Sequence, residues 1–550
     1  MSGSRLDSLT SWHADWKGLR VAVLGLSVTG FSVADTLAEL GADVLVVTER
    51  AAEEYGRLLP VIGAALWEGP LDAVPDALLD HAPDVVIASP GFAPAHPIIA
   101  WALEKGVPLW GDVELAWRVR DKVVGADGAP AAWVLVTGTN GKTTTTRLAA
   151  SMMVAGGLRA APCGNIGVPV LDAVRDPAGF DALVVELSSH QLWYLGLSTP
   201  AGRLFPHASV CLNLADDHLL WHGSFDAYRD AKAVVYRNTR LACVYNKADA
   251  ATRAMVEDAE VIEGARAIGF DLGVPGPSDL GVVDGILLDR AFLEERRTSA
   301  LELTTVADLA ERGLAAPHMV SNVLAASALA RALGVEPAAI RDALAHFRLD
   351  PHRIEVVAAT AGVVWVDDSK ATNPHAAASS LAAYPGAVWV VGGQLKGVDI
   401  GDLVARRGAA SKAAIVIGVD RSEVVAAFAR HAPAVPLFEV EHDETGDVMA
   451  RVVELAAAIV RDGDVVLLAP AAASFDQFTD YGDRGRRFAG AVREWIERGT
   501  VHGDDADPLG GDPEGPESQG PESQGPGPRG ADPRGADSQD EGPRGDDSGR

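Results

Sequence analysis

The residues most able to do chemistry lie in TGTNGKTTTTRLAA, at 137–150, between the apolar run AAWVLV and a helix-like segment. Gly138, Thr139, Asn140, Gly141, Lys142, Thr143 and Thr144 then occupy a strand-to-helix turn, the setting a phosphate loop requires. Its glycines let backbone N–H groups approach phosphate oxygens, the helix N-terminus adds a favourable dipole, Lys142 neutralises charge, and the Thr143 hydroxyl can ligate magnesium. The spacing between the glycines is shorter than in GxxxxGK[ST], which argues against a generic kinase or GTPase. A second set follows: Glu186 ends the strand-like run ALVVE, and Asp217 and His218 follow the run ASVCLNLAD. Acidic groups and a histidine at the C-terminal ends of parallel strands sit where such sheets bind ligands, so a magnesium and nucleotide site is expected. In isolation His218 reads as structural or exposed; its place beside the phosphate-loop sheet favours a functional role.

Near the N-terminus, VLGLSVTGFS offers Gly25 and Gly30 with Ser27 where the middle glycine of a dinucleotide fingerprint belongs. Loss of that glycine weakens a nicotinamide reading, although the turn around Val28 and Thr29 can still present N–H groups to a diphosphate. Glu49 could touch a ribose, so a dinucleotide site stays open here, as does a strand–helix turn without any ligand.

These residues need a frame, and the chain writes one. Short Val/Leu runs alternate with helical patterns from Arg20 onward, again from the phosphate-loop strand, and a third time after Pro351. That rhythm predicts parallel sheets flanked by helices. The expected fold is α/β in three domains. A Rossmann-like domain takes 1–128, a phosphate-loop ATPase-like domain 129–348 and a second Rossmann-like domain 349–500. Gly/Asp/Pro-rich stretches near 125–130 and 349–353 serve as linkers.

The tail at 501–550 holds 13 acidic residues against 4 arginines and is nearly free of large apolar side chains, so it is expected to be disordered. The whole chain of 550 residues carries a net charge of −29, which excludes nucleic acid and anionic membrane surfaces as expected partners. Cys163, Cys211 and Cys243 lie far apart without metal-knuckle spacing, and no long apolar run occurs, so a cytoplasmic protein with reduced thiols is expected.

Thirteen ordered motifs spread over 20–490 carry a resemblance: GLSVTG, SPG, GDVEL, TGTNGKTTTT, GNIG, ELSSHQL, NLADDH, YRDAK, PHMVSN, PHRIE, DDSKATNP, GGQLKG and ASFDQF. The combination resembles the Mur ligase family, ATP-dependent enzymes that form the amide bonds of bacterial cell-wall precursors. Within it, GDVEL, DSKATN and SFDQF are similar to the branch that adds D-glutamate to UDP-N-acetylmuramoyl-L-alanine. The Asp-Asn-Pro-Arg-type stretch of the members that add a diamino acid is absent.

The resemblance implies ATP and magnesium, two metal sites, and an acyl phosphate made from the substrate carboxylate. It puts Lys142 on the transferring phosphate, Thr143 and Glu186 on one magnesium, and His218 on a second. Lys232 of YRDAK falls where the family often carbamylates a lysine to make an anionic ligand; on its own it reads as a surface lysine. Asn165 of GNIG is expected to touch substrate or nucleotide, and Asn322 to approach the nucleotide base. Arg353 and Asp368 should reach the nucleotide from the last domain. Lys370, Thr372, Lys396, Ser474 and Tyr481 should orient the incoming amino acid, while Val28, Thr29 and Arg50 serve the UDP end. The expected partners are the two substrates, and the enzyme is expected to act as a monomer. Departures fall at Thr48-Glu49-Arg50, at Met319 and at Gln394.

Three other readings stay open on the sequence. A nicotinamide-dependent dehydrogenase would use the N-terminal glycines and leave Lys142 without a task. A non-catalytic relative would have lost Lys142, Glu186, His218 or Lys232, all of which are present. Within the ligases, a sibling adding another amino acid or a folylpolyglutamate-type enzyme remains; the latter lacks the α/β domain that precedes the phosphate loop here.

Overall fold

The computed structural model describes residues 5–360, 362–441 and 447–503. Three sheets organise them. The first is wholly parallel, in spatial order Ala65–Glu68, Asp43–Thr48, Arg20–Leu24, Val85–Ala88 and Leu109–Gly111. Its inner strands read as continuous apolar runs because helices cover both faces. Strand Arg20–Leu24 has neighbours on both sides, so the crossover direction reverses there and opens a crevice at its C-terminal end. The turn into helix Val28–Glu39 fills that point. Gly25 has φ +88°, and a Cβ on Gly30 would stand 2.1 Å from the Gly25 carbonyl oxygen, so both positions demand glycine.

The second sheet has nine strands. Its phosphate-loop strand, Ala132–Thr137, lies between Ala182–Glu186 and Ala208–Cys211, all parallel, with Val136 opposite Glu186 and Thr137 opposite Cys211. This register brings the ends of three strands to one edge. Beyond them the sheet finishes in the antiparallel strands Asp279–Val283, Ile286–Asp289 and Leu301–Thr305. The hairpin between the first two turns on Asp284 and Gly285, both at positive φ, the conformation an Asp-Gly pair favours. The pair is written in the sequence as VVDGILL.

The third sheet runs Glu355–Thr360, Val363–Asp367, Val465–Leu468, Val388–Gly392, Ala413–Ile417 and Leu437–Glu439, parallel except for its first strand. Its last helix, Tyr481–Gly503, crosses the boundary expected at 500, and the rest of the expected disordered tail lies outside the described residues.

Polar contacts join the first sheet to the second. Arg175 donates to Asp35, Thr36 and Glu39 at 2.7–2.8 Å, Gln191 Nε2 donates to Asp112 Oδ2 at 3.0 Å, and the Tyr194 hydroxyl donates to the Phe92 carbonyl at 2.6 Å. The third sheet is reached through 349–353, where Asp350 pairs with Arg147 of the phosphate-loop helix. His352 (φ +67°) and Ile354 (φ +49°) adopt left-handed backbone there, a costly conformation for a β-branched residue. His352 Nδ1 meets Asp367 Oδ2 at 2.6 Å and tethers the bend. Cys163, Cys211 and Cys243 are all buried as free thiols. Among the described residues no helix is long and apolar enough to cross a membrane.

Candidate active site

The phosphate loop is shaped by Gly138 (φ +149°) and Gly141 (φ +83°), after which helix Lys142–Ala155 begins. A Cβ on Gly141 would collide with the Asn322 side chain at 2.4 Å, so the loop packs directly on helix Pro317–Ala332. Asn213 clamps the loop: its Oδ1 accepts the Asn140 N–H at 2.9 Å and its Nδ2 donates to the Asn140 carbonyl at 3.1 Å. Lys142 Nζ folds back onto the carbonyls of Gly138 and Thr139, each at 2.9 Å. Burial lowers its pKa from the ordinary lysine value, against the pull of Glu186 and Asp217. A bound phosphate would offer that ammonium a stronger acceptor than two carbonyls.

Glu186, 1% exposed, ends its strand beside the loop. Its Oε1 accepts from Asn165 Nδ2 at 2.9 Å, while its Oε2 is buried without a hydrogen-bond partner among the described residues. An orphan carboxylate oxygen facing a phosphate loop fits an oxygen-seeking cation. Lys232, 2% exposed, lies beneath the loop, donating to Gly138 O at 2.9 Å and to Thr137 Oγ1 at 3.3 Å. Burial, reinforced by the Lys142 charge, brings its pKa down to about 7. The surface-lysine reading of this residue is therefore excluded.

His218 adopts positive φ at the start of a short helix. Its pKa falls to about 3 because it is buried and faces Lys396, Lys142 and Lys232, so the ring is neutral with a lone pair to offer. Three neighbours escaped the sequence reading. His190 packs edge-on to His218 with ring centroids 4.6 Å apart, and also rests on Trp221 at 4.4 Å and His222 at 5.7 Å. Only the histidine inside ELSSHQL hinted at this cluster.

One cleft of about 850 Å³ is lined by Thr139, Asn140, Gly141, Lys142, Thr143, Asn165, Glu186, His218 and Asn322 from the central domain. From the C-terminal domain Arg353, Asp368, Lys370, Thr372 and Lys396 line the same space. The third sheet thus delivers cations and a carboxyl to the phosphate loop. Burial lifts Asp368 to about 7, despite a hydrogen bond from the Ser380 hydroxyl. Burial, with Arg353 nearby, takes Lys370 down to about 8. Tyr481 carries Lys370 over its ring, and buried Ser474 is held next to the Lys396 loop by the two backbone bonds between Gln394 and Ala473.

Gly138, Thr144 and Lys232 form the loop's underside; the buried Thr144 hydroxyl has no partner among the described residues. Val28, Thr29 and Arg50 stand apart from this cleft, at the crevice of the first sheet, where Val28 is 51% exposed.

The fold and cleft define a three-domain protein in which a central phosphate-loop sheet meets a cation-bearing C-terminal sheet. Its residues 19–111, 136–330 and 352–472 match the Mur ligase MurD-like N-terminal domain, the Mur ligase middle domain and the Mur ligase glutamate ligase domain, respectively. The chain belongs to the Mur ligase family. It is 62% identical over 92% of its length to a UDP-N-acetylmuramoylalanine–D-glutamate ligase of Leifsonia xyli, covering 99% of that relative. It is 48% identical over 88% of its length to the protein of the same name from Streptomyces coelicolor, again covering 99% of it. A solved UDP-N-acetylmuramate–alanine ligase from Thermotoga maritima shares the fold at 19% identity, with a TM-score of 0.50 over 88% of this chain and 99% of that one.

Proposed function

We propose that this chain joins D-glutamate to UDP-N-acetylmuramoyl-L-alanine at the expense of ATP, in the synthesis of peptidoglycan precursors. The observation that carries the reading is the meeting, in one cleft, of the phosphate-loop Lys142 with Lys370 and Lys396 from the C-terminal domain. The choice of amino acid follows the relatives that are 62% and 48% identical to it over the aligned residues.

A carboxylate is a poor acyl donor because oxide would have to leave. Its oxygen therefore attacks the γ-phosphorus of ATP, ADP departs, and an acyl phosphate results. The D-glutamate amine adds to that carbonyl, phosphate leaves with the bonding pair, the nitrogen loses a proton, and an amide remains. The chain's task is positioning and charge neutralisation. Gly138, Thr139, Asn140, Gly141, Thr143 and Thr144 cradle the phosphates and Lys142 follows the transferring group. Asn322 borders the base, and Arg353 and Asp368 close over the nucleotide. Val28, Thr29 and Arg50 hold the UDP end, and Asn165 the part of the substrate nearest the reaction.

The orphan oxygen of Glu186 and the neutral ring of His218 suit magnesium, with Thr143 and Lys232 completing two sites. Magnesium, when bound, lowers the charge repulsion between the phosphates and the attacking carboxylate. A buried amine near pKa 7 is neutral often enough to take up carbon dioxide, losing a proton to give a carbamate, which supports Lys232 as an anionic ligand. Thr372, Lys396, Ser474 and Tyr481 orient D-glutamate beside Lys370, with Lys396 as the partner of a carboxylate. The reading makes the chain a monomeric cytoplasmic enzyme.

The test is phosphate release and mass detection of the amide, with D-glutamate set against L-glutamate, L-lysine and meso-diaminopimelate. Product confined to D-glutamate is expected. Product from another amino acid moves the chain to a sibling activity, and silence with every pair overturns the ligase reading.

A further inference from the structure

We infer that Asn373 is a positioning residue: its side-chain amide, paired with that of Asn140, latches the amino-acid-binding loop onto the phosphate loop and keeps the cleft closed while the acyl phosphate exists. The inference deepens the ligase reading and rests on it for its chemical readout.

The two asparagines are 233 residues apart, in loops that follow strands of different sheets. Asn373 Nδ2 donates to Asn140 Oδ1 at 3.0 Å, and Asn140 Nδ2 returns a longer bond to Asn373 Oδ1 at 3.4 Å and a better one to His375 Nδ1 at 3.1 Å. The direction of the Asn373 amide is fixed by its own helix. Its Oδ1 accepts the Ala376 N–H at 2.9 Å as the N-cap of Pro374–Ala383, which leaves Nδ2 to face the phosphate loop. Burial lowers the pKa of His375, keeping its ring able to accept.

Neither partner is free to drift. Asn140 is held at N–H and C=O by Asn213, and Asn373 is 5% exposed. Asn373 immediately follows Thr372 and lies three residues after Lys370, both in the cleft. A backbone pinned at 373 therefore sets where those two side chains point. The pair is part-buried between the domains, so opening trades its amide–amide bonds and the Asn140–His375 bond for water, and closing regains all three together. The consequence for the reaction is exclusion of water: an acyl phosphate in an open cleft is hydrolysed, regenerating the carboxylate and releasing phosphate without an amide.

The experiment measures phosphate released per amide formed, by the full-length enzyme with ATP, magnesium and both substrates. Asn373→Ser keeps an N-cap hydroxyl for Ala376 but cannot reach Asn140. Its melting temperature should match the parent, its kcat should fall at least ~10-fold, and its KM for D-glutamate should rise. The KM for the UDP substrate, anchored in the first domain, should stay put. Above all, the phosphate-to-amide ratio should climb from one to several. Should Asn373→Ser melt early, Asn140→Ala leaves the helix cap intact and must show the same rise in ratio. The double variant should leak no more than the worse single one, since both remove the same pair. A ratio of one with unchanged kcat in a stable Asn373→Ser overturns the latch.

If the parent itself makes no amide, the ligase reading fails, and closure is read directly. Spin labels at Val154→Cys and Arg430→Cys, both exposed and on the two domains concerned, should give a narrow distance distribution with ATP and magnesium. Asn373→Ser should broaden it; an unchanged distribution overturns the latch independently of the chemistry.

Discussion

Lys370 Nζ lies 3.8 Å from the centre of the Tyr481 ring, at the start of helix Tyr481–Gly503. The ring face holds the ammonium and limits its rotamers, and the contact needs the ring, not the hydroxyl. Tyr481→Phe should therefore keep near-parental KM and kcat. Tyr481→Ala should raise the KM for D-glutamate by about 3- to 10-fold, the equivalent of a partly desolvated cation–π contact. Steady-state kinetics with D-glutamate varied decides it; equal losses in both variants would mean that the hydroxyl is the working group.

Lys142 is the next position to remove. Its ammonium is held in the loop by two carbonyls, so deletion should leave the fold intact while the transferring phosphoryl group loses its nearest cation. Lys142→Ala should lower kcat by ~10²–10³-fold or more, the range for losing one preorganised charge. Lys142→Arg should not recover it, because a planar fork does not fit where a point charge is folded between Gly138 and Thr139. Phosphate release under saturating ATP checks both variants; a kcat within a few-fold of the parent would remove Lys142 from the reaction.

How much of this was legible beforehand depends on the distance along the chain. The phosphate loop is local, and its glycines, lysine and threonine announce a strand, a turn and a helix within a dozen residues. Glu186 could be read because a strand ends in it, whereas His218 lies seven residues beyond Cys211, where its strand stops, at the start of a short helix. Asn373 was only half legible: Asn before Pro374 marks a helix cap, but the amide's second task faces a residue 233 positions away. The Asn213 clamp, the packing of His190 on His218 and the Arg147–Asp350 pair are likewise set by tertiary register, on which local spacing is silent. The surface reading of Lys232 fell for the same reason: a helical pattern says which face is polar, not that a β-sheet loop will cover it.

Asp112 gives a pH prediction. It begins a helix of the N-terminal domain, its Oδ2 accepts from Gln191 across the domain boundary, and its Oδ1 is buried without a side-chain or backbone partner among the described residues. Burial lifts its pKa to about 6, above the ordinary carboxylate value, against the help of Gln191 and backbone N–H groups. A raised carboxyl pKa contributes stability that is whole below about pH 4 and lost as pH rises through about 6. Above that, the fold carries a poorly solvated anion. Asp112→Asn keeps the acceptor for Gln191 and removes the charge. Thermal unfolding should find it more stable than the parent at pH 7.5, by up to about 3 kcal/mol, with the advantage shrinking towards pH 4. A constant offset across that range would show that Asp112 does not titrate in the fold.

One turn further on, Arg118 and Glu114 pose the opposite problem, a pair that is costly to bury and costlier to break. Both side chains are almost fully buried and meet at 2.8 Å. Arg118 also donates to the Leu6 and Leu9 carbonyls and stacks on Trp110 at 4.0 Å, so it ties the first residues of the chain to the domain boundary. Glu114 accepts from Ser198 of the central domain, yet burial outweighs these partners and still raises its pKa. Removing the arginine alone should therefore leave an uncompensated carboxylate, and Arg118→Met should cost about 3–5 kcal/mol. Arg118→Met with Glu114→Gln removes both charges and should recover most of that loss, because a neutral amide can still accept from Ser198 without the Born penalty. The comparison is made by thermal unfolding of the two variants and the parent. Full cost in the double variant would move the contribution from the ion pair to the contacts of Arg118 with Leu6, Leu9 and Trp110, which only that double substitution can separate from the charge.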